Sequence, residues 1–383
     1  MTGRPRAATE AAREVGRRRP QISVTEGIAL GTCLGWPTAI LYLPSVLAAR
    51  GREDAWLGAL VGGVVILPVG LLLAALAGRL PRLGLVDQAQ TALGRWPGKA
   101  VGAAFVLGVG LLAAYAVRAG TDMVRLLMLP HTPPWVVAGV IVVQGAVGAY
   151  FGLEVVARAA VIAFLSVGVV LVVLIPGFAP MFDARRLLPV LAQGPGPLFE
   201  SAALGAGFWG QVVLLALIAH AFYGPRHLRA ATVGAGVTTV LVGWLLFALA
   251  QAAAGWYGVS RFTLSAIEVI RSVRILLPLL ERVDVLVVIG WTAMGFVQVA
   301  WLLWGCASGA ARVLGLVDSR PLIPLWASVV YGFALVLPED LTVLTQVWTQ
   351  VVVPAVTGGL VVLVAIVWAV SALRRLESAR TGG

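Results

Sequence analysis

Ten stretches of this chain are apolar over about the 20 residues that a helix needs to cross the hydrocarbon core of a bilayer. They run approximately 24–49, 55–78, 99–125, 133–151, 156–177, 198–222, 229–253, 283–313, 321–338 and 344–373. Backbone polar groups inside hydrocarbon must be satisfied within their own segment, so each stretch is committed to helix. The class that follows is an all-α polytopic membrane protein with about ten transmembrane helices. Composition agrees. The chain is 60% hydrophobic and 12% charged over 383 residues, with a mean hydropathy of +0.96. A water-soluble domain of that length cannot hide so much apolar surface.

The net charge of +11 could suggest nucleic acid. The basic residues, all arginine except Lys99, sit instead in the separators between apolar stretches and in the N-terminal tail. That distribution sets topology, and it places both termini in the cytoplasm. Residues 1–22 read as a disordered basic cytoplasmic tail, 23–373 as the transmembrane domain and 374–383 as a second cytoplasmic tail. One segment does not span. Residues 254–282 alternate Arg261, Glu268, Arg271 and Arg274 with Ile267, Ile270, Val273 and Leu276, an amphipathic pattern expected to lie on the outer surface.

Two apolar stretches are interrupted at matching places. The first contains Gly31-Thr32-Cys33-Leu34-Gly35-Trp36-Pro37, and the sixth contains Gly205-Ala206-Gly207-Phe208-Trp209-Gly210. Glycine removes side chains and proline removes a backbone donor, which frees polar backbone groups at membrane depth. Such groups survive only where protein or a wet cavity satisfies them. Breaks at equivalent positions of two halves point to a solute site near the bilayer midplane. Gly31, Thr32, Gly35 and Pro37 with Gly205, Gly207, Phe208 and Gln211 are the candidate ligand-binding residues. The competing reading is two kinked helices whose small residues allow close packing. The sixth-helix glycines also satisfy G-x-G-x-x-G, but they follow no strand and lie inside a span, so no dinucleotide site is inferred.

Other polar residues are sparse. Glu154 and Arg158 are spaced to pair on one helix face and are candidates for an ion pair or a gate. Arg118, Asp122 and Arg125 share a face of the third helix and either line an outer vestibule or, the preferred reading, mark the point where it emerges into water. His220, Gln144, Gln251 and Gln298 stand alone in apolar spans. Gly58 with Gly62, Gly148 with Gly152, and Gly305 with Gly309 indicate close helix packing. Cys33 and Cys306 read as small hydrophobes. No catalytic signature and no clustered ligand set is present, so neither an enzyme, a metal nor a cofactor is expected.

Several of these positions carry a family resemblance. Leu93-Gly94-Arg95-Trp96-Pro97-Gly98-Lys99 after the second span, Gly152-Leu153-Glu154-Val155-Val156-Ala157-Arg158 at the fifth, and Arg282-Val283-Asp284 with Trp291 at the eighth resemble the spore germination permease family. Ile22-Ser23, Asp54-Ala55-Trp56-Leu57 and Leu188-Pro189-Val190-Leu191 add to it in order. That family comprises the membrane B subunits of nutrient germinant receptors. The resemblance implies an amino acid–polyamine–organocation fold of two inverted five-helix repeats, about 23–178 and 198–373, with the first and sixth helices broken around the ligand. It implies a small germinant such as an amino acid, an A subunit and a lipoprotein C subunit as partners, and the spore inner membrane as location. An amino acid permease of the same fold is the alternative. The long arginine-rich tail departs from the family's lysine-rich turns.

Overall fold

The computed structural model describes residues 22–64, 66–81, 83–261 and 283–374. The basic tail expected over 1–22, apart from Ile22, and the C-terminal tail from 375 onward lie outside the described residues, as do 262–282 of the amphipathic segment. Residues 254–261 continue the seventh helix beyond a bend at Gly255, whose φ of 71° suits glycine.

Helices account for the architecture. The first span is Val24–Gly51, begun by a capping box in which the Ser23 hydroxyl takes the Glu26 N–H and the Glu26 carboxylate takes the Ser23 N–H. A short turn at Arg52–Asp54 reverses the chain into the second span, Ala55–Gly63 continued by Ile66–Arg79. A connecting helix, Leu85–Leu93, precedes the third span, Arg95–Leu127. The fourth, Pro134–Phe151, and fifth, Leu153–Gly177, meet at Gly152, where φ is 92°. The sixth is Gly196–Trp209 followed by a tighter 3-10 stretch, Gly210–Ala221. The seventh to ninth are Pro225–Arg261, Val283–Leu314 and the shorter Leu322–Val336. The tenth opens with a π-helical stretch, Leu344–Val352, and ends as Val353–Leu373.

The packing shows the two halves as repeats. The first span lies along the seventh, and the second lies along the sixth. Adding five to each member of one pair, with the tenth followed by the first, returns the other pair. The fourth packs on the eighth as the ninth packs on the third, and the first packs on the fifth as the sixth packs on the tenth. Five crossings per repeat start the second repeat on the opposite face, so the repeats are inverted. Glycines set the closest approaches. A Cβ on Gly62 would stand 2.5 Å from the carbonyl oxygen of Ala202, so the second and sixth spans touch backbone to backbone.

The two expected breaks differ. The first span stays α-helical from end to end with Pro37 and Pro44 inside it. The sixth changes from α to 3-10 geometry at Gly210 and leaves helical angles at Ile218. Ile22 then bridges to the end of the sixth, its N–H donating to the Ala221 carbonyl, and closes that face of the bundle.

Candidate functional site

An apolar cavity of about 60 Å³ lies against the proline turn of the first span. Trp36, Pro37 and Ile40 form one wall, and the fifth span supplies Val167, Val170, Leu171 and Leu174, with Phe178 beyond its end. The seventh adds Leu246 and Ala250, and the eighth adds Gly290, Trp291 and Met294. A second, smaller cavity shares Ile40, Leu246 and Ala250 and extends past Leu43 and Pro44 to Ala59 and Trp209. The two form an apolar chamber beside the first helix, with a small number of backbone groups as its polar features.

Proline at 37 cannot donate to the carbonyl four residues earlier, which weakens the helix there. The eighth span grips carbonyls next to that place. The Trp291 indole N–H donates to the Pro37 carbonyl at 2.7 Å, and the Gln298 amide donates to the Leu34 carbonyl. Gln298 also reaches the Thr38 hydroxyl at 3.4 Å. Trp291 and Gln298 are seven residues apart, hence on one helix face, and both aim at the first span. The Trp36 indole donates across to the Thr239 carbonyl of the seventh span at 3.3 Å. These bonds tie the first span to the seventh and eighth around its proline turn.

The residues expected at the ligand site divide into two sets. Pro37 lines the cavity. Gly35 faces the Phe208 carbonyl, 3.3 Å from where its Cβ would stand, so the two interrupted segments do meet. They meet closed. Gly31 presses on Ala235, with its would-be Cβ at 2.6 Å, and Gly207 presses on Pro354 at the same distance. Gly205 packs near the Trp209 indole, which donates to the Ala59 carbonyl. The Thr32 hydroxyl donates to the Ile28 carbonyl within its own helix. Phe208 and Gln211 are buried. The cavity is therefore displaced from the place where these two segments meet toward the fifth, seventh and eighth spans.

The ionic residues divide into an exposed pair and a buried one. Glu154 and Arg158 pair at 2.5 Å with side chains 51% and 68% exposed, so this pair stands on the surface. Arg118 and Asp122, read as marking the emergence of the third span into water, are instead 2% and 4% exposed. Arg118 grips the Asp122 carboxylate through Nε at 3.1 Å and Nη2 at 3.0 Å, and its Nη1 reaches the Leu337 carbonyl. Tyr42 stands beside Asp122, and the Tyr115 hydroxyl shares a 2.9 Å hydrogen bond with Thr349 of the π-helical stretch. Spacing alone showed that Arg118 and Asp122 could pair; nothing in the local sequence showed that the first, ninth and tenth spans would cover them. At the amino-terminal face, Arg312 pairs with Asp87, and its Nη2 lies 3.1 Å from His220 Nε2. This network ties the connecting helix and the end of the sixth span to the eighth. Gln251 donates to the Glu53 carbonyl at 2.8 Å. Among the described residues, no group of His, Cys, Asp and Glu is placed to hold a metal ion.

Solved structures share this arrangement. MhsT, in complex with L-phenylalanine, superposes with a TM-score of 0.69 at 15% identity, covering 93% of this chain and 89% of that one. Mhp1, a nucleobase-cation-symport-1 family transporter in a closed conformation with bromovinylhydantoin bound, gives 0.62 at 13% identity over 86% and 75%. The fold is thus the inverted-repeat fold of these transporters. Among sequence relatives, the Bacillus subtilis (strain 168) spore germination protein YndE is 22% identical over 276 residues, 72% of this chain and 76% of that protein. Spore germination protein A2 of the same organism is 23% identical over 316 residues, 81% and 86% of the two chains. Residues 22–341 match the spore germination protein family, a stretch that takes in the proline turn, the Trp291 and Gln298 donors and the buried ion pair. On that match, and on a fold built of membrane-crossing helices, the chain belongs to the spore germination protein family of multi-pass membrane proteins.

Proposed function

We propose that this chain is the membrane subunit of a nutrient germinant receptor, which binds a small germinant and passes the binding event to partner subunits. The observation that carries the reading is the apolar cavity on the proline turn of the first span. It adjoins the first span, two of whose carbonyls accept from side chains of the other repeat. A ligand that favours one arrangement of the first and eighth spans shifts the population between two states, and this suffices for a signal. The apolar lining suits the side chain of a neutral amino acid. No chemistry is required, so the subunit acts without being an enzyme. In this reading both termini face the cytoplasm, the membrane is the spore inner membrane, and the partners are an A subunit and a lipoprotein C subunit.

The test is ligand-dependent thermal stabilisation of the purified chain, and of the chain assembled with its partners, against amino acids, sugars and nucleosides. Binding to the folded state raises the melting temperature by mass action. The receptor reading expects a shift with one or a few amino acids, lost in Val170→Trp, whose ring would fill the cavity. No shift in either preparation overturns it. The fold shared with MhsT favours a second reading, an amino acid permease. Uptake of the stabilising compound by proteoliposomes containing this chain alone would establish that reading instead.

A further inference from the structure

The cavity on the first span has an open side. The first span packs along the fifth, the seventh and the eighth, and the fifth packs along the eighth. Among the described residues, the seventh packs along neither the fifth nor the eighth, although all three line the cavity. The ring of helices is therefore incomplete between the seventh and the other two. Exposure along the first span agrees. From Ala29 to Ala48 every residue is buried except Ile40 and Pro44, and these two line the cavity and its continuation. On the fifth span, Val169 and Val172 are 67% and 74% exposed, so the surface next to Val170 and Leu171 is apolar and faces outward within the span. One end of the gap is roofed. The segment after Phe178 crosses to the seventh span, where the Asp183 N–H donates to the Ala252 carbonyl at 3.2 Å and the Arg186 guanidinium donates to the Ala253 carbonyl. The Trp56 indole holds the same segment from the second span, donating to the Leu187 carbonyl at 3.2 Å. What remains open lies at the depth of Ile40, Val170 and Leu246, inside membrane-crossing helices, where the surroundings are hydrocarbon.

We propose that the cavity takes the end of an acyl chain of a bilayer lipid, which enters between the fifth and seventh spans. The inference goes beyond the receptor reading and stands without it. Every side chain that lines the cavity and its continuation is apolar apart from three indole N–H groups. All three are committed, Trp36 to the Thr239 carbonyl, Trp291 to the Pro37 carbonyl and Trp209 to the Ala59 carbonyl. Water would find no free side-chain donor or acceptor there, whereas a hydrocarbon chain needs none. The two cavities, about 60 and 40 Å³, share Ile40, Leu246 and Ala250. At about 10–15 Å³ for each water-sized group they hold roughly seven to ten such groups, which suits the end of a chain and not a headgroup. Lipid tails are as apolar as these walls, so the chain gains contact with side chains that otherwise face a void. Lodged there, it stands between the seventh span and the fifth and eighth and holds them apart. On the receptor reading it also occupies the germinant's place, so chain and germinant exclude one another.

The experiment places the full chain in nanodiscs of phosphatidylglycerol and phosphatidylcholine, a fraction of which carries a diazirine near the end of one acyl chain. After illumination, fragmentation mass spectrometry locates the adducts residue by residue. Val172 faces lipid in any case and serves as the internal standard. The expected result is an adduct at Ile40 or Pro44, on a helix whose neighbouring residues are buried, in addition to the one at Val172. Ala250 lines both cavities, so Ala250→Leu puts a branched side chain at their junction and should abolish the first-span adduct while leaving labelling at Val172 unchanged. Should that variant fail to fold, Val170→Trp fills the cavity from the fifth span and is read in the same way; should neither fold, the labelling of the parent decides alone. The proposal is overturned if Val172 is labelled and neither Ile40 nor Pro44 is, or if a folded filled variant keeps the first-span adduct at the parent's level. A melting shift with an amino acid but no first-span adduct sinks the acyl chain and leaves the receptor reading standing. An adduct with no shift across the whole germinant panel, in the chain and in the assembled complex, does the reverse.

Discussion

Two ion pairs in this molecule have the same spacing and opposite surroundings. Glu154–Arg158 and Arg118–Asp122 each join residues four apart on one helix. The first is more than half exposed on both sides, and the second is almost wholly buried, with Tyr42 of the first span and the Leu337 carbonyl beside it. An exposed pair gains little, because its charges are screened and its side chains give up freedom. A buried pair has already lost its hydration, so each partner depends on the other. Spacing in sequence thus predicts pairing but says nothing of depth, and depth decides consequence.

Breaking the buried pair from the cationic side should have the largest effect. Arg118→Met leaves the Asp122 carboxylate uncompensated, at a cost of about 3–5 kcal/mol, seen as a sharply lowered melting temperature of the purified protein. Asp122→Asn keeps shape and one acceptor but leaves the guanidinium without its counter-charge, a loss of about 2–3 kcal/mol in the same assay. The double variant Arg118→Met, Asp122→Leu removes both charges and should recover most of the loss, since apolar replacements of buried pairs are often neutral. A double variant as unstable as Arg118→Met would show that packing, not charge, holds this site. Tyr115→Phe deletes the hydrogen bond to Thr349 and should cost about 1 kcal/mol. At the far end of the scale, Arg158→Met should change stability by less than about 0.5 kcal/mol, and raised salt should abolish even that difference. A large effect of Arg158→Met would break the comparison and point to a partner at the surface of the fifth span.

The interrupted helices repeat the lesson. Glycines and a proline in the first span and glycines in the sixth were equally good signals of a break. The first kept its helix, and Trp291 and Gln298, more than 250 residues away, donate to carbonyls beside its proline. The sixth tightened to 3-10 geometry, with Gly207 against Pro354 and Gly210 against Thr357 of the tenth span. The second span's interruption after Gly63 falls beside Gly62, Gly63 and Pro68, and the π-helical opening of the tenth ends just before Pro354, so glycine and proline mark these places too.

Some of the candidate site was legible, namely Pro37 and Trp36 beside the cavity, and the approach of Gly35 to Phe208. The fifth-span wall and the donors on the eighth were not, because valine, leucine and tryptophan in an apolar span look alike whether they face lipid, a neighbour or a cavity. The amino-acid sequence by itself determined what depends on one segment at a time. It set the helical class, the ten crossings, the capping of the first helix and the places where backbone groups lose a local partner. These follow from the demand that hydrocarbon makes on each peptide group. The tertiary structure alone decided which carbonyls are re-satisfied, which ion pair is enclosed and where the cavity lies. Each of these is a meeting of groups from different spans, and no local pattern records which spans will meet.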